Sequence, residues 1–110
     1  MPYFHLTLKG PRPTFAFDMT EDEKQLMQRH IAYWMELIAA RTAVVFGPVL
    51  DPKGPWGMGI LEAADEVEAQ RIIDKDPVMQ AGIGFNIRIS PMRIGAIRGE
   101  TPAAPATQTN

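Results

Sequence analysis

Residues 65–77 read DEVEAQRIIDKDP, and the fold turns on whether this stretch is a helix. Ala69, Ile72, Ile73 and Asp76 fall at i, i+3, i+4 and i+7, the spacing that lines up one helical face. Asp65 and Glu68 form a capping-box pair at its start. Pro77 closes it, because proline disfavours helical geometry for the residue before it. Read this way, Asp76 is anomalous twice over. It occupies a place on the apolar face, and it sits at the negative end of the helix macrodipole, where a carboxylate is disfavoured by roughly 0.3–1 kcal/mol.

Extended patterns flank this helix. Upstream, WGMGILEA (56–63) puts Met58 and Ile60 on one face, while Gly57 and Gly59 weaken the strand or admit a neighbour or ligand close to the backbone. Downstream, GFNIRISPMRIGAI (84–97) alternates Phe85, Ile87 and Ile89 against Asn86, Arg88 and Ser90. At the other end of the chain YFHLTLK (3–9) sets Phe4, Leu6 and Leu8 against Tyr3, His5, Thr7 and Lys9. GPRPTFAFDM (10–19) is a Pro/Gly loop whose Phe15 and Phe17 suggest that it folds back as a lid. Thr20 and Glu23 repeat the capping-box signal, and a second helix is expected from there to about Ala40. Its apolar stripe is Met27, His30, Ile31, Trp34 and Ile38, widened by Leu26, Met35 and Leu37. TAVVFGPVL (42–50) is β-rich and stops, or becomes an edge, at Gly47-Pro48; DPKGPWG (51–57) is a turn.

The element order is therefore β-α-β-β-α-β, the α+β, ferredoxin-like arrangement in which two helices cover one face of a four-stranded antiparallel sheet. A chain of 110 residues suits one such domain with a single core. Residues 1–97 form the expected domain, and 98–110, rich in proline, threonine and alanine, form an expected mobile tail. No internal repeat is visible.

Composition narrows the function classes. A net charge of −2 with scattered Lys and Arg gives no basic face for nucleic acid. No segment approaches the ~20 apolar residues that span a bilayer. The N-terminus has no basic, then apolar, leader pattern, so a soluble cytoplasmic protein is expected. Cysteine is absent, which excludes disulfides, thiolate metal sites and a cysteine nucleophile. The two histidines, His5 and His30, lie on different elements without HxH or HExxH spacing, so no metal site is expected. GPWGMG lacks the lysine and following helix of a phosphate loop, and nothing marks a nicotinamide or flavin site, so no cofactor is expected.

His30 is the second misplaced ionisable residue. It stands on the core-facing stripe of the first helix as Asp76 does on that of the second, so the two side chains converge between helices and sheet. A carboxylate beside an imidazole orients the ring and stabilises its protonated form, a common route to a general base or acid. The bland readings stay open. His30 also suits a core histidine bonded to a carbonyl, and Asp76 a helix-end carboxylate folded back onto Lys75 or Arg71.

The pattern H-x-x-Y-W, then VFGPVLD, a glycine-bearing strand and A-x-x-I-I-x-x-D-P-V-x-x-A-G-I resembles the YCII-related (YciI-like) domain family over about residues 3–94. The resemblance implies a ferredoxin-like domain that dimerises through its sheet into a dimeric α/β barrel, similar in architecture to muconolactone isomerases. It also implies a homodimer, a small-molecule substrate, and a catalytic dyad at His30 and Asp76. The activities it suggests are eliminations and isomerisations on small ring compounds, including dehydrohalogenation.

Around that dyad, Trp34, Phe46, Gly47, Pro48, Trp56 and Arg88 are the expected substrate-binding residues. Gly47-Pro48 would leave room, and a free amide, for a substrate oxygen. Trp34 is equally a core residue, Trp56 an exposed or dimer-contact residue, and Arg88, with His5 and Asn86, part of a polar sheet face. Two functions follow. One is a cofactor-independent lyase or isomerase. The other is a non-catalytic dimeric binding or accessory domain in which the His–Asp pair only fixes helix packing.

Overall fold

A computed structural model describes residues 1–99, so nearly all of the expected tail lies outside the described residues. The chain runs β1 (Tyr3–Lys9), α1 (Phe15–Asp18), α2 (Glu21–Ala39), β2 (Ala43–Val49), β3 (Trp56–Glu62), α3 (Glu66–Asp74), α4 (Pro77–Gln80) and β4 (Asn86–Met92). The strands form one antiparallel sheet in the order β2-β3-β1-β4. This is the expected ferredoxin-like domain, with two single-turn helices added.

Register sorts the sheet into two faces, because residues paired across antiparallel strands point the same way. Phe4 pairs with Leu61 and Pro91, Leu6 with Gly59 and Ile89, and Leu8 with Gly57 and Ile87. This is the face under the helices, where Leu6, Trp34, Ala43, Leu61 and Ile73 form the main core cluster and Phe4, Ala63 and Ala69 a second. The opposite face carries His5 with Ile60 and Ser90, and Thr7 with Met58 and Arg88.

The glycine at position 59 has a steric reason. An ideal Cβ there would lie 2.7 Å from Cη2 of Trp34, so the indole rests directly on the β3 backbone. Gly47-Pro48 lies inside β2 and not at its end. β2 is an edge strand pairing only with β3, and an edge strand tolerates the missing proline donor.

Helix α2 starts with the complete capping box: Thr20 Oγ1 accepts from the Glu23 amide and Glu23 Oε1 from the Thr20 amide. It ends in a Schellman turn, with the Arg41 amide on the Ile38 carbonyl, the Thr42 amide on the Leu37 carbonyl, and Arg41 at φ 63°. Thr20→Ala should therefore cost about 1 kcal/mol. For a domain of this size that is a fall of roughly 4–8 °C in Tm, measurable by circular dichroism.

Three local expectations are corrected. The 10–19 segment is not all loop: residues 15–18 make one helical turn. Positions two apart on a helix point about 200° apart, so Phe15 is buried at 7% exposure while Phe17 stands out at 78%. The stripe on α2 is narrower than expected, with Ile31 48% and Met35 55% exposed. Most consequential, α3 stops at Asp74, and Asp76 is the N-cap of α4 with Pro77 at its first position. Asp76 thus begins a helical turn instead of ending one. Its carboxylate meets the free amides of that turn, and Oδ1 accepts from the Val78 amide at 3.0 Å.

Candidate active site

Asp76 is fully buried, at 0% exposure. A carboxylate in such a place must find donors for its lone pairs. Three N–H groups converge on it. Val78 N binds Oδ1, Trp34 Nε1 donates to Oδ2 at 2.9 Å, and His30 Nδ1 lies 2.9 Å from Oδ1 and 2.8 Å from Oδ2. His30 and Trp34 are one turn apart on α2, so both reach the carboxylate from the same side.

The carboxylate accepts only, so Nδ1 carries the proton it donates. In the neutral ring the lone pair is then on Nε2, which has no protein partner among the described residues. Tyr33, on the same helix, donates its hydroxyl to the Ile72 carbonyl at 2.6 Å and ties α2 to α3. Its pKa is raised by burial and then by the Asp76 charge, which keeps that donor protonated.

His30 and Asp76 open onto a cavity of about 310 Å³ between α2, the sheet and the 10–19 segment. Its walls are largely apolar, with Leu6, Met27, Phe46, Phe85 and Ile87 among them. The Trp34 and Phe46 rings lie 5.7 Å apart at 36° and close its floor. Such a chamber can hold a small ring against a single basic nitrogen. Among the described residues no three His, Asp or Glu side chains cluster as metal ligands, and no helix is long and apolar enough to cross a membrane.

Residues 3–93 match the family model of the YCII-related domain. The chain belongs to that family. Among solved structures, this YCII-related domain is similar to the 5-chloro-2-hydroxyhydroquinone dehydrochlorinase of Burkholderia phenoliruptrix in complex with 2,5-dihydroxybenzoquinone. The TM-score is 0.57 and the identity 22%, over 86% of this chain and 96% of that one, a likeness of fold. No curated protein matches the chain.

Of the residues expected at the site, the YCII-related domain brings His30, Asp76, Trp34, Phe46, Gly47, Pro48 and Trp56 to one cavity. Trp56 is held there by its indole N–H on Asp51 Oδ2 at 3.2 Å. Gly47 is not required by crowding, since a Cβ there would meet nothing within 4 Å. Arg88 is the exception. It is exposed, pairs with Thr7 on the sheet face away from the helices, and does not line the cavity. Arg88 directly follows Ile87, and the pleat sends successive side chains to opposite faces.

Arg12 was not expected at the site, yet it lines the cavity mouth. Its guanidinium clamps Glu23 through Nη1–Oε2 at 2.9 Å and Nη2–Oε1 at 2.8 Å, and Asp18 through Nε–Oδ1 at 2.9 Å. It also lies 5.3 Å from the centre of the Phe15 ring, which packs edge-on against Phe85 at 5.1 Å. Phe15, in the segment expected as a lid, thus packs at the cavity while Phe17 points away, and Arg12 latches that segment to the start of α2. Arg12 stands in a loop outside any helix or strand, so no periodic pattern announces this latch.

The latch has a defined pH range. Hydrogen bonds from Arg12 first, and from the Thr20 amide second, depress the Glu23 pKa from 4.5 to about 2. A depressed carboxylate contributes fully above its unfolded pKa and loses that contribution as pH falls through its folded one. Acrylamide quenching of Trp34 and Trp56 should therefore stay unchanged down to about pH 4 and rise only as pH approaches 2. A rise already complete at pH 4 would show that Glu23 does not hold the lid.

Proposed function

We propose that the protein is a small-molecule enzyme of the lyase or isomerase type. In this reading His30 removes a proton from a small cyclic, hydroxylated substrate and Asp76 orients its ring. The observation that carries it is the position of His30: Nδ1 is committed to a buried carboxylate while the rest of the ring borders an apolar cavity of single-ring size.

The step balances in either form. The substrate proton passes to Nε2, and the electron pair it leaves closes a double bond. In an elimination the leaving group departs with its own pair. In an isomerisation the pair of a neighbouring double bond shifts to the atom beyond it, and that atom takes the proton back from His30. Trp34, Phe46, Gly47, Pro48 and Trp56 shape the pocket, and the lid excludes water, which strengthens the electrostatic contacts inside. The dehydrochlorinase of like fold supports the elimination branch by the chemistry its name states.

We also propose that the protein works as a cytoplasmic homodimer joined through the sheet face that carries Met58 and Ile60. Val45, 43% exposed on the neighbouring edge strand, supports that reading. Sedimentation showing only monomer at micromolar concentration would remove it.

The functional test begins with 5-chloro-2-hydroxyhydroquinone and its unchlorinated parent as candidate substrates, with chloride release and absorbance followed together. Quenching of Trp34 and Trp56 fluorescence by 2,5-dihydroxybenzoquinone reports occupancy of the cavity. Turnover or saturable quenching supports the enzyme. If no small hydroxylated ring binds, and His30→Ala only lowers Tm, the pair is a packing device in an accessory domain.

A further inference from the structure

We infer that Trp34 is a positioning residue: its indole N–H, wedged in place by Gly59, fixes the plane of the Asp76 carboxylate and so the aim of the His30 ring. This role deepens the proposed His30–Asp76 chemistry and rests on it.

His30 Nδ1 lies at nearly equal distances from both oxygens, 2.9 and 2.8 Å, and is not directed at one of them. A carboxylate free to turn about its Cβ–Cγ bond would normally offer one oxygen for a more linear bond. Here each oxygen has a second anchor that opposes this turn. The Val78 amide holds Oδ1 and the Trp34 indole holds Oδ2, both at hydrogen-bond distance and both buried. One anchor is backbone and cannot be replaced. The other is a side chain whose own position must be specified.

Gly59 and Phe46 specify it. The six-membered edge of the indole sits where a Cβ of residue 59 would be, with Cη2 and Cζ3 at 2.7 and 2.8 Å from that point. Any other residue at 59 would push the ring, and with it Nε1, away from Oδ2. Phe46 lies against the same indole from β2. Sheet, tryptophan, carboxylate and imidazole thus form one chain of contacts from the β3 backbone to the cavity. Trp34 also lines that cavity, but the function inferred here belongs to its N–H, which points at Asp76 and is unavailable to a substrate.

The test separates the N–H from the ring. Trp34→Phe removes the donor, and site-specific replacement of Trp34 by β-(3-benzothienyl)alanine removes it while keeping the bicyclic shape, so a folding defect in the first variant leaves the second decisive. 4-Fluorotryptophan at position 34 keeps the donor, carries its fluorine away from the Cη2–Cζ3 edge that rests on Gly59, and serves as the rescue. The readout is the ¹⁵N-edited proton spectrum of the imidazoles, with His5, on the sheet face away from the helices, as internal reference. In the native protein the His30 Nδ1 proton should appear downfield and exchange slowly. That signal should be lost from both donorless proteins and retained with 4-fluorotryptophan. On a turned-over substrate the benzothienyl protein, which keeps the cavity wall, should lose about tenfold in kcat with KM unchanged. An unchanged Nδ1 signal in both donorless proteins, or no such signal in the native one, overturns the inference. Turnover that survives His30→Ala would instead overturn the catalytic reading, while the Nδ1 signal of the native protein and its loss from the donorless ones would stand, so the two failures are distinct.

Discussion

His30→Ala should lower kcat/KM by about 10²–10⁴-fold on any substrate the enzyme turns over, the usual contribution of a positioned general base. The cavity would keep its walls, so substrate binding should change far less than turnover. Asp76→Asn should be as damaging for a different reason. If the amide NH₂ faces Nδ1, that nitrogen must become the acceptor, and the lone pair leaves Nε2 for the wrong end of the ring. An inverted tautomer of this kind can cost up to ~10⁴-fold in an enzyme that depends on its histidine. Steady-state kinetics with circular dichroism on both variants decides the matter, because native folding with normal turnover in both would remove the dyad from the mechanism.

The second large effect is on stability. Asp76→Ala strands three buried donors at once: the His30 Nδ1 proton, the Trp34 indole N–H and the Val78 amide. Removing one partner from a buried pair costs about 3–5 kcal/mol, a large share of the 5–15 kcal/mol that holds an ordinary domain together. Urea unfolding should show a lower midpoint with an unchanged slope. Replacing both partners with apolar residues, as in His30→Leu with Asp76→Leu, is a different experiment. Buried ion pairs exchanged whole for hydrophobic residues are often neutral or stabilising. A stable but inactive double variant would show that the pair is kept for chemistry. A double variant as unstable as Asp76→Ala would show that the cost lies with the Trp34 and Val78 donors, which this exchange leaves unpaired.

Much of this was legible because the signals were local. Alternation put Phe4, Leu6 and Leu8 on one face of β1, and the Thr20–Glu23 box marked the start of α2, since both depend on neighbours a few residues apart. The convergence of His30 and Asp76 was legible as well, as two polar residues on apolar faces of elements that must pack on the same sheet. What misled was the end of α3. Asp-Pro reads equally as the stop of one helix or as the N-cap and first residue of the next, and only the path of the chain chooses between them.

The chain's own residues determine the order of elements, the faces of the strands and the presence of an imidazole and a carboxylate on the inner side. These follow from periods of 2 and 3.6 residues and from capping chemistry, which act over a few bonds. Tertiary structure alone decides the rest. It makes Asp76 begin a helical turn where the local sequence reads equally as the stop of one, gives its second oxygen to Trp34 through a notch at Gly59, and brings Arg12 to the cavity. The last two join groups on different elements, so only packing of the elements against one another brings them into contact.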